Sequence, residues 1–513
     1  MLKISNLKMR IDDNDYASKI SQVLNIPKRD IKDLKIIKKS VDARHNQVSF
    51  LYTIGFNYLD EASLLNKKNI SVVKEYKYDK ISQTKDNILI VGSGPAGLFC
   101  AYNLVRSGNK VTLIEQGNSV EKRVKDKDEF LNEGKLNSSS NIQFGEGGAG
   151  TFSDGKLTSG IKDFRTRFVL ETFHSFGANE DILYLNKPHI GTDVLVSVVK
   201  NIREYLIDNG ATVLFNHHLD SINIKDNKIE SVVINNKQYQ YDKVVLAIGH
   251  SARDTYKMLD NKGVKMVPKA FAVGFRIEHL QEFINKSQYG KYYKDKHLPT
   301  ADYKLAVKTN SQRGVYSFCM CPGGEVVNAS SEENRLCVNG MSNYQRDSQN
   351  ANSAILVTVT PDDFKDKSTL GGVSFQRELE EKAFKLGGSD YSVPVQRIED
   401  YLNNSLDLSV GKVKPSVKRY KMANLNELFD DSLNDSLHEG LTKMNNKIRD
   451  FTREAVILGV ESRSSSPVRF ERNVNMESNI QGLYPIGEGA GYAGGIMSAA
   501  IDGLKCSEEV VKS

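Results

Sequence analysis

Residues 87–116 read NILIVGSGPAGLFCAYNLVRSGNKVTLIEQ. Ile88, Leu89, Ile90 and Val91 form a short apolar run, as expected of a strand buried on both faces. The run leads straight into Gly92-Ser93-Gly94-Pro95-Ala96-Gly97, a G-x-G-x-x-G. A helical stretch over residues 95–107 follows, and Gly108 sits where a helix stop belongs. Residues 111–115 read as a second strand ending on an acid. Each part has a role in a βαβ unit. Gly92 allows the tight turn, Gly94 lets backbone approach a pyrophosphate, and Gly97 lets helix and strand pack closely. The helix N-terminus offers its free N–H groups to phosphates. Glu115 lies 18 residues past Gly97, near the ~20 at which an acid meets a ribose 2′-hydroxyl. The stretch therefore predicts a dinucleotide site. No charge occurs between Asn87 and Arg106, but Gly-Ser-Gly-Pro and Asn103 break any reading as a membrane span.

The remaining composition sets bounds. A chain of 513 residues has room for roughly two to four domains. With 39% hydrophobic and 26% charged residues it reads as a soluble protein. Lys3, Lys8 and Arg10 interrupt the opening residues, so no secretory signal is read there. Five cysteines, Cys100, Cys319, Cys321, Cys337 and Cys506, are too few for a disulfide framework. No Cys/His set has zinc spacing, so no metal is expected, and the compartment expected is the cytoplasm. Residues 1–80 hold 16 Lys/Arg and 10 Asp/Glu and thus all of the net charge of +6. That excess is the single hint of RNA as a partner. A solvated lysine-rich surface is the preferred explanation, since no aromatic-interleaved RNA motif accompanies it.

Residues 1–80 read as a small α+β domain: strands at 2–11, 31–40 and 47–56, a helix at 16–24, and a turn through Asp42, Ala43, Arg44, His45 and Asn46. Residues 74–85 read as a linker. After Glu115 comes a polar helix containing Arg123, then residues 141–157, NIQFGEGGAGTFSDGKL. Its five glycines suggest backbone lying directly against a flat ligand. Residues 192–209 read as an amphipathic helix, 212–215, 221–224 and 229–234 as strands, and 243–248 as a buried strand ending at Gly249-His250-Ser251. From about residue 265 the pattern changes. Strands are expected at 270–277, 315–320, 326–328 and 354–359, with Cys321-Pro322-Gly323-Gly324 as a hairpin turn. Helices are expected at 375–386 and 425–449. Residues 482–511 close the chain with a strand, the acid-bearing turn Gly487-Glu488-Gly489, and a helix opened by Gly494-Gly495. That combination offers a carboxylate to a ribityl hydroxyl and N–H donors to an electron-rich ring edge.

The fingerprint, VVLAIGHSARD (244–254) and GLYPIGEGAGYAGGI (482–496) together resemble glutathione-reductase-type FAD flavoproteins. NIQFGEGGAGTFSDGKL, FAVGFRIEH (271–279), SFCMCPGGEVV (317–327) and ESRSSSPVR (461–469) resemble a bacterial family of FAD-dependent dehydrogenases, also described as NAD(P)/FAD-dependent oxidoreductases, of uncharacterised substrate. The resemblance spans the whole chain. It implies that Gly92, Gly94, Pro95, Ala96 and Gly97 hold the FAD pyrophosphate. Glu115, Gln116 and Arg123 would serve the adenosine half, with Leu219 meeting adenine through its backbone and Ala247 and Gly249 near the ADP. Gly147, Gly148, Ala149, Gly150 and Thr151 would run beside the isoalloxazine. Gly487 and Glu488 would meet the ribityl chain, and Gly494, Gly495 and Ile496 the flavin edge.

The fold expected is α/β: a glutathione-reductase-type FAD-binding Rossmann domain (85–264 and 455–513), an inserted mixed α+β cap (265–454), and the small N-terminal α+β domain (1–80). Catalytic candidates are Cys319 and Cys321, which alternation places on one strand face, and Arg276 and His279. Arg276, His279, Arg346, Arg463 and Arg469 are candidate binders of an anionic substrate. No second complete G-x-G-x-x-G follows a strand, so NAD(P)H is expected only as a transient reductant. The function expected is a flavin-dependent oxidation or reduction of an unidentified small molecule. A flavin-dependent RNA-modifying enzyme and a non-enzymatic FAD-binding scaffold are the alternatives.

Overall fold

The computed structural model describes residues 1–44 and 47–512; His45 and Asn46 of the expected turn, and Ser513, lie outside the described residues. Ile88–Val91 is buried at all four positions and forms the middle of a five-stranded parallel sheet. Its order is Leu483–Pro485, Lys243–Leu246, Ile88–Val91, Val111–Glu115, Thr212–Phe215. Such a sheet buries both faces, which is why its strands are continuous apolar runs rather than alternating ones. Helices Pro95–Arg106, Thr192–Asp208 and Ile496–Val510 cover one face. The first and last of these pack unusually close: a Cβ on Gly503 would lie 2.1 Å from the Ala96 carbonyl oxygen. The small residues of the C-terminal helix are there for that approach. A three-stranded antiparallel sheet, Leu219–Lys225, Lys228–Ile234 and Lys237–Tyr239, contributes to the core on the other face.

The cap is a seven-stranded mixed sheet. Its order is Ala306–Lys308, Gly314–Cys321, Asn350–Val359, Phe271–Leu280, Val456–Glu461, Val393–Arg397, Tyr420–Met422. Helices Gly371–Leu386 and Asp431–Asn445 complete its core. Three expectations change here. Val456–Glu461, expected with the flavin-binding part, is an inner strand of the cap sheet, pairing with Phe271–Leu280 and Val393–Arg397. Cys321-Pro322-Gly323-Gly324 is not a hairpin turn: Gly314–Cys321 pairs with Ala306–Lys308 and Asn350–Val359, whereas Glu325–Asn328 pairs with Val338–Met341. Finally, strict alternation fails at the cysteines. The register shifts between Phe318 and Cys321, and Cys319 takes φ +42°.

The N-terminal domain is a four-stranded antiparallel sheet, Lys32–Asp42, Ser49–Asn57, Leu2–Met9, Ile70–Val72, with helix Tyr16–Leu24 packed on it. Asp15 caps that helix by accepting from the Ser18 N–H at 3.0 Å, the usual reason for an acid at this position. Lys32–Asp42 is the sheet's outer strand, and it is docked. The Lys39 N–H donates to the Tyr184 carbonyl at 2.8 Å, and the Asn186 N–H donates to the Lys39 carbonyl at 2.9 Å. Leu298 of the cap packs against the small domain's core. The segment expected as a linker is anchored too: the Tyr78 hydroxyl donates to Glu508 at 2.5 Å, and its ring packs 4.4 Å from that of Phe168.

Candidate functional site

A cavity of about 1100 Å³ opens where the parallel sheet, the cap and the N-terminal domain meet. Gly92, Gly94, Pro95, Ala96, Glu115 and Gln116 line it from the fingerprint side. Gly148, Ala149, Gly150, Leu219, Ala247 and Gly249 follow, and Gly487, Glu488, Gly494, Gly495 and Ile496 close that half. A continuous space thus gathers residues scattered over some four hundred positions of sequence. Gly97 stands behind the wall, because a Cβ there would lie 1.9 Å from the Gly92 carbonyl oxygen; it serves close packing, as the fingerprint requires.

Besides Gly97, three expected cofactor contacts, Arg123, Gly147 and Thr151, do not reach the cavity surface. Arg123 is fully buried, and its guanidinium donates to the carbonyls of Asn141, Ile142, Glu146 and Gly148 at 2.7–2.8 Å. It shapes the glycine-rich loop from behind. A Cβ on Gly145 would meet the Arg123 side chain at 2.5 Å, and one on Gly147 would meet the Thr151 hydroxyl at 2.0 Å. Gly145 and Gly147 are therefore glycine for the chain's own packing, not for a flat ligand. Thr151 is buried beneath them, its carbonyl accepting from the Thr192 hydroxyl at 2.8 Å. Glu115 does line the cavity, but its carboxylate already accepts from Ser93 N–H and Oγ on Oε2 and from the Gly117 and Gly145 N–H groups on Oε1, all at 2.9–3.1 Å. It ties the fingerprint turn to the glycine-rich loop, and a ribose hydroxyl would share these oxygens.

The remaining glycines test whether a dinucleotide fits. A Cβ on Gly249, Gly494 or Gly495 would meet no protein atom within 4 Å, and one on Gly94 only the Gly148 Cα at 3.9 Å. Gly249 takes φ +70°, a backbone conformation that itself favours glycine, but at Gly94, Gly494 and Gly495 nothing in the chain's packing demands it, and all three line the cavity. Two helices, Pro95–Arg106 and Ile496–Val510, begin at this wall, each with unpaired N–H groups suited to an anion or an electron-rich ring edge. Beside them His250 Nδ1 lies 3.3 Å from Glu488 Oε1, while its Nε2 is buried with no protein partner among the described residues. An open glycine cradle, two helix N-termini and an orphaned ring nitrogen are what FAD would use.

The other half of the cavity belongs to the cap and its neighbours. Cys319 faces it, as do Met320, Lys156, Asp154, Arg346 and Glu461. Asp154 is buried and accepts from Arg346 at 2.8 and 2.5 Å, with Lys156 Nζ at 2.8 Å and the Ser342 hydroxyl also bonded. Lys156 Nζ reaches on to the Met320 carbonyl. Arg276 lies one layer back: it donates to Glu461 at 2.8 Å and to the Cys319 carbonyl at 2.6 Å. Cys321 is buried behind Cys319, its thiol donating to the Cys319 carbonyl at 3.3 Å. His279 is not part of the site. Its ring is buried between Phe283 and Phe451, and Nε2 lies 2.8 Å from the Phe451 carbonyl oxygen. Burial brings it down to about 4, so it is a neutral core residue. Arg469 stacks on Tyr492 instead of facing the cavity. Arg463 does line it, held by Glu380. Sequence reasoning misses Asp154 and Lys156, although they fall inside the glycine-rich stretch singled out by composition, and Glu461, which falls inside a stretch singled out only by its resemblance to the family; Lys39 and Phe50 of the N-terminal domain, also in the wall, carry no sequence signal.

Two groups have protonation set by this environment. Burial lifts Glu461 to about 7, with the Arg276 charge opposing. The Cys319 thiol is lowered, first by the neighbouring Cys321 side chain and then by the Lys156 and Arg276 charges, against the opposing effect of burial. A lowered thiol stays deprotonated to lower pH, so iodoacetamide should alkylate Cys319 well below pH 8, whereas an ordinary thiol titrates near 8.5. Cys321→Ala should shift the midpoint of that labelling profile upward by about one unit or more. A wild-type midpoint at or above 8.5, read by peptide mass spectrometry, would contradict this.

Fold and cavity together define a dinucleotide-binding α/β protein. Residues 86–272 match a family described as pyridine nucleotide-disulphide oxidoreductase, residues 270–464 one described as FAD-dependent protein, C-terminal domain-like, and residues 1–57 a domain of unknown function. An uncharacterized protein of Clostridium beijerinckii is 47% identical over 525 residues, covering 100% of this chain and 98% of the other. The chain belongs to the FAD-dependent oxidoreductase family, and its cofactor is FAD. Among solved structures, CtdE in complex with FAD is 12% identical with a TM-score of 0.35, covering 84% of this chain and 87% of that one. The halogenase PltM is 11% identical with a TM-score of 0.36, covering 83% and 68%. Both likenesses are too slight to argue from. No helix of the described residues is long and apolar enough to cross a membrane, and no described group of His, Cys, Asp or Glu is arranged to hold a metal ion.

Proposed function

We propose that this chain is a flavin-dependent oxidoreductase acting on a small molecule held between the flavin-binding wall, the cap and the N-terminal domain. The carrying observation is the continuity of the cavity, which touches Gly94 and Gly495 at one side and Cys319, Glu461 and Lys39 at another. Bound FAD supplies the hydride chemistry. The chain supplies position and protons. Asp154, Lys156 and Arg346 form a fixed charged wall. Glu461, poised near neutrality by burial, is the carboxyl suited to take or return a proton at physiological pH. Cys319 adopts a left-handed conformation that a non-glycine residue holds only at a cost of about 1–3 kcal/mol, and such positions cluster where chemistry is done.

NADH or NADPH has no Rossmann site of its own in this reading. Anaerobic bleaching of the flavin by either should be slow, rise nearly linearly into the millimolar range, and show little preference between them. Fast bleaching at micromolar nicotinamide with a clear preference would overturn this reading of the reductant. The RNA-modifying alternative draws on the lysines of residues 1–80. Lys32–Asp42 is an edge strand, where lysines discourage pairing with other chains, so they have a use without nucleic acid. Salt-sensitive RNA binding lost on Lys35→Glu and Lys38→Glu would restore that alternative.

A further inference from the structure

Where the N-terminal domain meets the cavity, Lys39, Val41 and Phe50 face Asp181, Tyr184 and Leu298. Most charged groups at this end are already paired: Lys187 with Asp302 at 2.7 Å, Arg346 with Asp154 at 2.5 Å, and His297 with Asp295 at 2.9 Å. Lys304 is exposed. Two groups differ. The Lys39 ammonium lies 4.2 Å from the Phe50 ring centre and 5.9 Å from that of Tyr52. It is half-buried, and among the described residues no carboxylate stands within ion-pair distance of it. Asp181 accepts the Tyr344 hydroxyl on Oδ2 at 2.9 Å, but its Oδ1 is buried with no donor among the described residues. A buried acceptor left without a donor calls for an explanation.

Both groups are fixed in place. Asp181 belongs to the short helical turn Glu180–Leu183, whose end is tied by the Tyr184 N–H donating back to the Asp181 carbonyl at 3.1 Å. The Tyr184 carbonyl in turn holds the Lys39 N–H at 2.8 Å. One cation and one half-satisfied anion are therefore presented from adjoining segments of two domains to the same cavity. An anion alone would meet Asp181, and a cation alone would meet Lys39.

We propose that this compartment binds a zwitterion, an α-amino acid or a ligand with the same head, its carboxylate on Lys39 Nζ and its ammonium on the Asp181 carboxylate. The apolar walls from Val41, Phe50, Tyr184 and Leu298 take the side chain. The assignment names the substrate class of the oxidoreductase site and rests on that reading. It also gives the N-terminal domain a function, since that domain then supplies half of the head-group recognition.

The test uses the full-length, FAD-loaded protein and needs no turnover. L-phenylalanine, glycine, phenylacetate and phenethylamine are titrated by calorimetry. Protection of Lys39 from trinitrobenzenesulfonate is read by peptide mass spectrometry, and flavin absorbance reports FAD content. L-phenylalanine should bind and protect Lys39, with phenylacetate and phenethylamine at least ~10-fold weaker. Lys39→Met should erase the preference for L-phenylalanine over phenethylamine. Asp181→Asn, which keeps an acceptor for Tyr344, should erase the preference over phenylacetate. Both variants should stay yellow. Binding of neither L-phenylalanine nor glycine, equal binding of all four compounds, or unchanged preferences in both variants would overturn the proposal while leaving the yellow protein's oxidoreductase reading intact. Binding with the predicted preferences, but with no amino acid able to bleach the flavin, would leave the zwitterion site standing and overturn the assignment of that ligand as the oxidoreductase substrate.

Discussion

Gly94→Val should give a folded protein without its yellow colour. At position 94 the backbone has φ −69°, open to any residue, and a Cβ there would meet no protein atom closer than 3.9 Å. The substitution therefore leaves the chain's own packing alone and fills only the space in front of the helix Pro95–Arg106. A branched side chain there blocks the approach of a pyrophosphate to the backbone N–H groups. We expect FAD affinity to fall at least ~100-fold, about 2.8 kcal/mol, with far-UV circular dichroism unchanged. Gly97→Val should behave differently. Its side chain would be driven into the Gly92 carbonyl at 1.9 Å, and the product should be insoluble or unfolded. Stoichiometric FAD released by acid from purified Gly94→Val would refute the placement of the cofactor.

Glu380→Ala should be the most destabilising loss of a charged side chain in the cap. Glu380 is wholly buried between two guanidinium groups. Arg253, from the flavin-binding side, donates at 2.8 and 2.7 Å, and Arg463 donates at 2.9 and 2.8 Å. The Ser462 hydroxyl adds a further bond at 2.7 Å. Removing the carboxylate leaves buried positive charge uncompensated, which costs about 3–5 kcal/mol and should lower Tm by roughly 6–15 °C. Glu332 still faces Arg253 at 2.8 Å, so the lower half of that range is expected if the Arg253 side relaxes toward it. The two arginines hold the Glu380 carboxyl well below the ordinary glutamate range against the opposing effect of burial. Its contribution is thus present above the unfolded value near 4.3 and is lost as pH falls toward the depressed folded value. Calorimetry at pH 7 and pH 4 should show a larger wild-type advantage at pH 7; an unchanged Tm in the variant would show that the cap is held by other contacts.

The flavin-binding half is legible in the sequence because its signals are local. Strand, turn, helix and acid follow one another within residues 87–116, and the spacing of Gly92, Gly94, Gly97 and Glu115 carries the geometry. The cap half is legible only as composition. Phe271–Leu280 is buried along nine of its ten positions, so periodicity cannot separate His279, packed among rings, from Arg276, which braces the cavity wall. Cys319 faces the cavity because a register shift turns it, and a rule of strict alternation cannot foresee a bulge. The glycines of residues 145–150 read as one cradle, yet Gly145 and Gly147 answer to Arg123 and Thr151; the difference lies in which side chains stand behind them. Lys39 reads as surface charge because the contact that places it at the cavity is with Tyr184, on another domain.

The docking of Lys32–Asp42 has a consequence for how the chain is made. Its outer edge stays unpaired until Tyr184 and Asn186 exist to bond with Lys39. At ribosomal speeds of about 5–20 residues per second, that gap lasts roughly 7–30 s. Through this interval the newborn small domain carries a bare sheet edge in a crowded setting, where a flat apolar edge would template pairing with its neighbours. Lys32, Lys35, Lys38 and Lys39 along that strand keep nascent copies apart by mutual repulsion, and one of them, once the later segment arrives, becomes part of the pocket.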